Sequence, residues 1–177
     1  MALVRTVETG AGLSNANAYA TDAQAYAYHE AHVSGAAYWP GADQATREVA
    51  LVMATCLIDD QFQFRGRKVK STQALQWPRT SCPDPDAPED SDGFVASSVV
   101  PKGVMEATCE MARELIIKDR TLPPAGEGEK YHFDGATQIG WDKDDTPPVI
   151  TKLAQAMLCK YGDLIRRRCG SVTLIRC

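Results

Sequence analysis

The groups best able to bind a metal or move a proton are scarce in this chain. Three histidines are present, His29, His32 and His132. His29 and His32, in His-Glu-Ala-His, stand about one helical turn apart, so both imidazoles could face one ion. Zinc-protease chemistry needs the pair four residues apart, and no third ligand is identifiable, so a solvated helix face is expected. Oxygen ligands crowd elsewhere: Asp84, Asp86, Glu89, Asp90 and Asp92 share one stretch. Calcium takes such ligands, but the spacing is not that of a calcium loop, and Pro83, Pro85 and Pro88 interrupt it. Asp142, Asp144 and Asp145 fail in the same way. No metal ligand is therefore assigned. Gly10-Ala11-Gly12 is too short a signal for a phosphate cradle, and neither Gly-x-x-x-x-Gly-Lys nor Gly-x-Ser-x-Gly occurs. Nothing in the pattern places a carboxylate in an apolar pocket, the setting that tunes it for acid catalysis. The chain is expected not to be an enzyme, with no catalytic residues and no cofactor.

Six cysteines are spread widely, at 56, 82, 109, 159, 169 and 177, with no Cys-x-x-Cys pair. Met1 to Asn17 lacks the basic-then-apolar layout of a signal peptide, so synthesis in a cytosol and reduced thiols are expected. Cys56 and Cys109 fall on apolar helical faces and read as small core residues. The cations are more informative. Arg65, Arg67, Lys68 and Lys70 cluster, with Arg79 soon after, and Arg166, Arg167 and Arg168 form a second group. Such groups suit a helix end, which favours cations. They also suit a local surface for a phosphate backbone or an acidic partner. Trp77 beside Arg79 could stack on a base, although a core anchor is the preferred role for so large a ring.

The elements that must position these groups follow from bulk and pattern. With 177 residues, 44% apolar and 24% charged, the chain is of ordinary one-domain size and composition. A net charge of −4 gives no overall pull towards nucleic acid. No stretch is long and apolar enough for a membrane span. Residues 1–20 read as an extended lead-in. Thr21 to Gln24 is a capping box, predicting a first helix to about His32. Asp43 caps a second helix to about Phe62, with a main apolar stripe of Ala45, Val49, Val52, Met53, Cys56 and Leu57. Leu51, Ile58 and Phe62 make a second stripe on another side, so this helix is expected to be either the central helix of the domain or one shared with a neighbouring subunit, with these three residues at the subunit or partner interface. Thr72 to Trp77 reads as a short strand and 82–93 as a loop or hairpin tip, with a turn at Asp92-Gly93. A third helix starts near Pro101 and ends before Pro123. Residues 123–148 read as an exposed excursion with a hairpin near Asp134-Gly135. Pro147-Pro148 opens a fourth helix ending near Gly162, and 170–177 forms an extended terminal strand. The expected fold is thus mainly α: one domain, 1–177, of four helices with short strands or hairpin excursions.

Several stretches resemble a family of tailed-phage and prophage proteins from the head–tail joining region. They are Gly12-Leu13-Ser14-Asn15-Ala16-Asn17-Ala18-Tyr19, Trp39 before Asp43, Glu48 to Leu57 followed by Asp59-Asp60, Phe64-Arg65-Gly66-Arg67 and Gln73-Ala74-Leu75-Gln76-Trp77-Pro78-Arg79. Val100-Pro101 and the terminal Gly170-Ser171-Val172-Thr173-Leu174-Ile175-Arg176 fit as well. The resemblance implies a virion adaptor, made in the host cytoplasm, that forms a ring, commonly of twelve copies, below the portal protein. It implies contacts with itself, the portal, a downstream neck or tail protein, and double-stranded DNA passing through the channel. Val172, Leu174 and Ile175 would then add a strand to a partner's sheet edge. Some members of the group carry another label, DnaT-like single-stranded DNA-binding protein. That alternative uses Arg65, Arg67, Lys68, Arg79 and Trp77.

Overall fold

The computed structural model describes residues 4–33, 38–122, 131–134, 137–140 and 148–165. In chain order these form α1 (Asp22–Glu30), α2 (Gln44–Gln61), β1 (Phe62–Phe64), β2 (Arg67–Lys68), β3 (Arg79–Thr80) and α3 (Lys102–Ile117). They continue with β4 (Tyr131–Asp134), β5 (Thr137–Gly140), α4 (Lys152–Leu158) and β6 (Gly162–Leu164). The strands pair antiparallel as β1–β6, β2–β3 and β4–β5. The expectation of a mainly α four-helix domain is therefore corrected: the fold is mixed α/β, four helices with three small two-stranded sheets among the described residues. Strands of two to four residues carry too little alternation to be seen as a pattern. No helix among the described residues is long and apolar enough to cross a membrane.

The helix starts obey local chemistry. Thr21 accepts from the Gln24 amide while Gln24 returns a bond to the Thr21 amide, a complete capping box. Asp43 accepts from the Thr46 amide at 2.8 Å and starts α2. Pro101 stands at the head of α3, where a missing N–H costs nothing. The fourth helix differs from expectation. It is capped by Thr151, three residues after Pro148, and runs only seven residues. Gly162 does not end it but begins β6, opposite Phe64. A Cβ at Gly162 would lie 2.6 Å from the Gln63 carbonyl oxygen, so the strands approach closely only because that atom is absent.

The core lies between α2 and α3, closed by α1, α4 and the lead-in. The face that α2 buries is Arg47, Ala50, Leu51, Ala54, Thr55 and Ile58. Three of these are small, which lets α3 come close and inter-digitate Val104, Ala107, Met111 and Ala112. The second stripe is thus the buried one, which makes α2 the central helix of the domain, while the main stripe is split, Met53 and Leu57 half-buried against the core. Leu51, Ile58 and Phe62, expected at an interface, are buried in the chain's own core, whereas Ala45, Val49 and Cys56 face solvent. Hydrophobicity alone misassigned the faces because alanine and threonine define the packed one.

Candidate nucleic-acid interface

After α2 the chain turns through Arg65-Gly66-Arg67, runs along β2, loops through 71–78 and returns as β3. Gly66 has φ +74°, and a Cβ there would sit 2.2 Å from the Thr80 carbonyl oxygen. The turn is thus pressed against β3, and only glycine permits both its conformation and that approach.

Two buried polar side chains set this segment. Arg79 is 6% exposed. Its Nε donates to the Arg65 carbonyl at 2.7 Å, its Nη2 to the carbonyls of Gly66 at 2.8 Å and Phe64 at 3.2 Å. Its Nη1 donates to the Gln76 carbonyl at 3.1 Å and side-chain oxygen at 2.9 Å. Burial lowers its pKa below the usual guanidinium value, though not enough to discharge an arginine. Gln73 accepts from the Lys70 amide at 2.9 Å and donates to the Leu75 and Pro78 carbonyls, each at 3.0 Å. Residues 72–77, expected as a strand, are instead an irregular loop tied by these side-chain bonds, with a cis peptide between Trp77 and Pro78. Trp77 is fully buried, edge-on to Phe64 at 5.6 Å and Tyr161 at 5.9 Å. It is a core anchor and has no face left for a base.

The remaining cations point outward. Arg65, Arg67, Lys68 and Lys70 are all exposed. Arg65 meets Asp163 at 3.5 Å across the β1–β6 edge. Lys70 donates to the Ala11 carbonyl at 2.6 Å, and Lys68 approaches the Ala74 carbonyl at 3.4 Å. The structure thus divides the predicted cations: four are exposed on one short segment, termed the basic ridge, and Arg79 is buried under the turn that begins it. Arg166, Arg167, Arg168, Val172, Leu174 and Ile175 lie outside the described residues. Among the large apolar side chains left to solvent is Phe94, 45% exposed, opposite Pro83 in a β-bridge near the base of the hairpin. It was not singled out from the sequence; a phenylalanine directly after the Asp92-Gly93 turn was the available signal.

Two further carboxylates, one buried and one half-buried, were not singled out as site residues from the sequence. Glu8 is 3% exposed and accepts from the Gly10, Gly12 and Leu13 amides at 2.8 to 2.9 Å. The Gly-Ala-Gly motif therefore wraps the chain's own carboxylate. Asp59 lines an open depression of about 390 Å³ with Val52, Leu75 and Gln76. Burial pushes its pKa up to about 6, against the pull of the Tyr19 hydroxyl, which donates to it at 2.5 Å. Its second oxygen accepts from the Gln76 amide at 2.9 Å. Both oxygens are thus engaged in joining α2 to the lead-in and the 71–78 loop. His29 is buried beside Trp39, with ring centroids 4.9 Å apart, while His32 bonds the Tyr28 carbonyl. Burial, helped by Arg113, lowers the His29 pKa to about 4, so it is neutral at physiological pH. The expected solvated histidine face is thus half correct: His32 is exposed, His29 is core.

No curated protein and no solved structure matches the chain. A family model matches residues 1–133, taking in α1, α2, the basic hairpin and α3. No comparison points to a ring-forming adaptor. With well over half its length matched, the chain belongs to the family described as "Putative DnaT-like ssDNA binding protein".

Proposed function

We propose that this chain binds single-stranded DNA, using the ridge Arg65, Arg67, Lys68 and Lys70. The observation that carries the reading is that four exposed cations stand on one short segment whose backbone is bolted from beneath by Arg79 and Gln73. A chain of net charge −4 attracts a polyanion only through such a local concentration. Pre-fixing the backbone leaves only the side-chain ends to be ordered on binding. Family membership supports the same reading and favours it over the virion ring adaptor. Phosphates would meet the cations, and Phe94 supplies an exposed ring on which a base can stack without regard to sequence.

Fluorescence anisotropy of a labelled oligonucleotide at low salt tests this. Saturable binding that weakens as salt rises is expected, since phosphate contacts release counterions. A flat titration would remove the proposal. Phe94→Ala is expected to weaken binding by about tenfold, the size of one lost stacking contact, while leaving the salt dependence unchanged.

A further inference from the structure

We infer that the acidic loop 84–92 competes with DNA for the basic ridge, so that the chain carries its own electrostatic brake. The inference rests on the DNA-binding reading above. The loop springs from the base of the basic hairpin itself. Two residues beyond β3, the Val95 amide donates to the Cys82 carbonyl at 2.9 Å, and the Asp84 amide donates to the Gly93 carbonyl at 3.0 Å. Pro83 and Phe94 face each other between these bonds, closing the neck of the loop. The Arg65-Gly66-Arg67 turn packs on the same stretch: a Cβ on Gly66 would lie 2.8 Å from the Cys82 amide nitrogen. Turn and loop neck are therefore in direct contact.

The charges on the two sides are linked through one residue, Lys160. The Asp86 carboxylate pairs with the Lys160 ammonium. Arg65 lies 3.4 Å from the carbonyl of that same Lys160 and pairs with Asp163. Arg65 and Asp84 also act in opposite senses on the Cys82 thiol, which places both within electrostatic reach of it. Pro83, Pro85 and Pro88 restrict the backbone of the loop, and Asp86 is tied to Lys160 next to Arg65, so the loop's acidic charge stays beside the Arg65 end of the basic segment. Carboxylates so placed oppose an approaching phosphate chain through space, an effect that salt screens. The consequence is reduced affinity for short strands and loose non-specific contacts, which neutralise too few charges to win.

The test compares two variants of equal charge. One carries Asp84→Asn, Asp86→Asn, Asp90→Asn and Asp92→Asn. Asparagine keeps the side-chain oxygens that accept from the Asp86 and Phe94 amides, so the loop's turns survive. The other carries Glu30→Gln, Asp43→Asn, Glu106→Gln and Asp119→Asn, on or beside α1, α2 and α3 and away from the hairpin. Binding to a short single-stranded oligonucleotide is read by anisotropy at about 50 mM salt, where screening is weak. The loop variant is expected to bind about fivefold tighter than wild type and the remote variant less than about twofold, with the gap closing at high salt. Equal gains in both would show an effect of net charge alone and overturn the inference, as would no gain in either while wild type binds. If neither wild type nor either variant binds, the DNA reading itself fails and the brake falls with it.

Discussion

Arg79 directs its guanidinium inward to carbonyls of Phe64, Arg65, Gly66 and Gln76, whereas Arg67 on the facing strand stays in solvent. Arginine is required for the inward task because its planar fork reaches several acceptors at once, which one ammonium cannot do. Arg79→Lys should therefore lower unfolding stability by about 3 kcal/mol, since several buried acceptors lose charged donors together. An unchanged urea midpoint would contradict this. Asp59 and His29 make a pH prediction. The folded pKa of Asp59, about 6, lies above its ordinary value, so its contribution to stability is greatest at low pH and is lost as pH rises through 6. His29 is opposite: its folded pKa of about 4 lies below its ordinary value, so its contribution grows as pH rises from 4 towards 6.5. The two slopes offset each other in wild type. Asp59→Asn removes one, so the stability of the variant relative to wild type should climb from pH 4 to 6 and then level off. A stability difference that does not vary with pH would show that Asp59 titrates normally.

The β2–β3 hairpin is the element that converts scattered cations into a surface. Its register sets Arg67 opposite Thr80 and Lys68 opposite Arg79, and Gly66 lets the preceding turn lie on β3. Gly66→Ala should distort that turn and weaken DNA binding beyond what its stability loss explains; circular dichroism on the same sample separates the two effects. Caps were the most legible part of the fold. Thr21, Asp43 and Pro101 each announce a helix because the orphan amides of a first turn need a local acceptor, or a residue lacking the amide. The hairpin formed by β4 and β5 was legible for a similar reason, with Asp134-Gly135 as its turn signal. What stayed hidden depends on contacts distant in sequence. β1 pairs with β6 across a hundred residues of chain. The packed face of α2 is written in alanine and threonine, and Arg79 looks like any surface cation until its acceptors are assembled. The ridge itself could be read directly, because four nearby cations are visible as residues; which arginine stands beneath it could not.

At the scale of the whole molecule, an acidic protein carries a basic ridge among the described residues, with an acidic loop rooted beside it. Such a charge layout favours contacts that are local, reversible and strongly dependent on ionic strength. The helical core formed by α2 and α3 holds the ridge in place without contributing to it, so core and ridge should separate experimentally. Replacing Arg67 and Lys68 with alanine should leave thermal stability nearly unchanged, as both are exposed. The most direct test of the central claim is the slope of log K against log salt concentration for single-stranded DNA. Each phosphate neutralised contributes about −0.7, so four cations predict a slope of about −3 for wild type. The Arg67→Ala, Lys68→Ala variant should fall to about −1.5 while remaining folded. A slope that is the same in both proteins would show that the ridge does not hold the DNA.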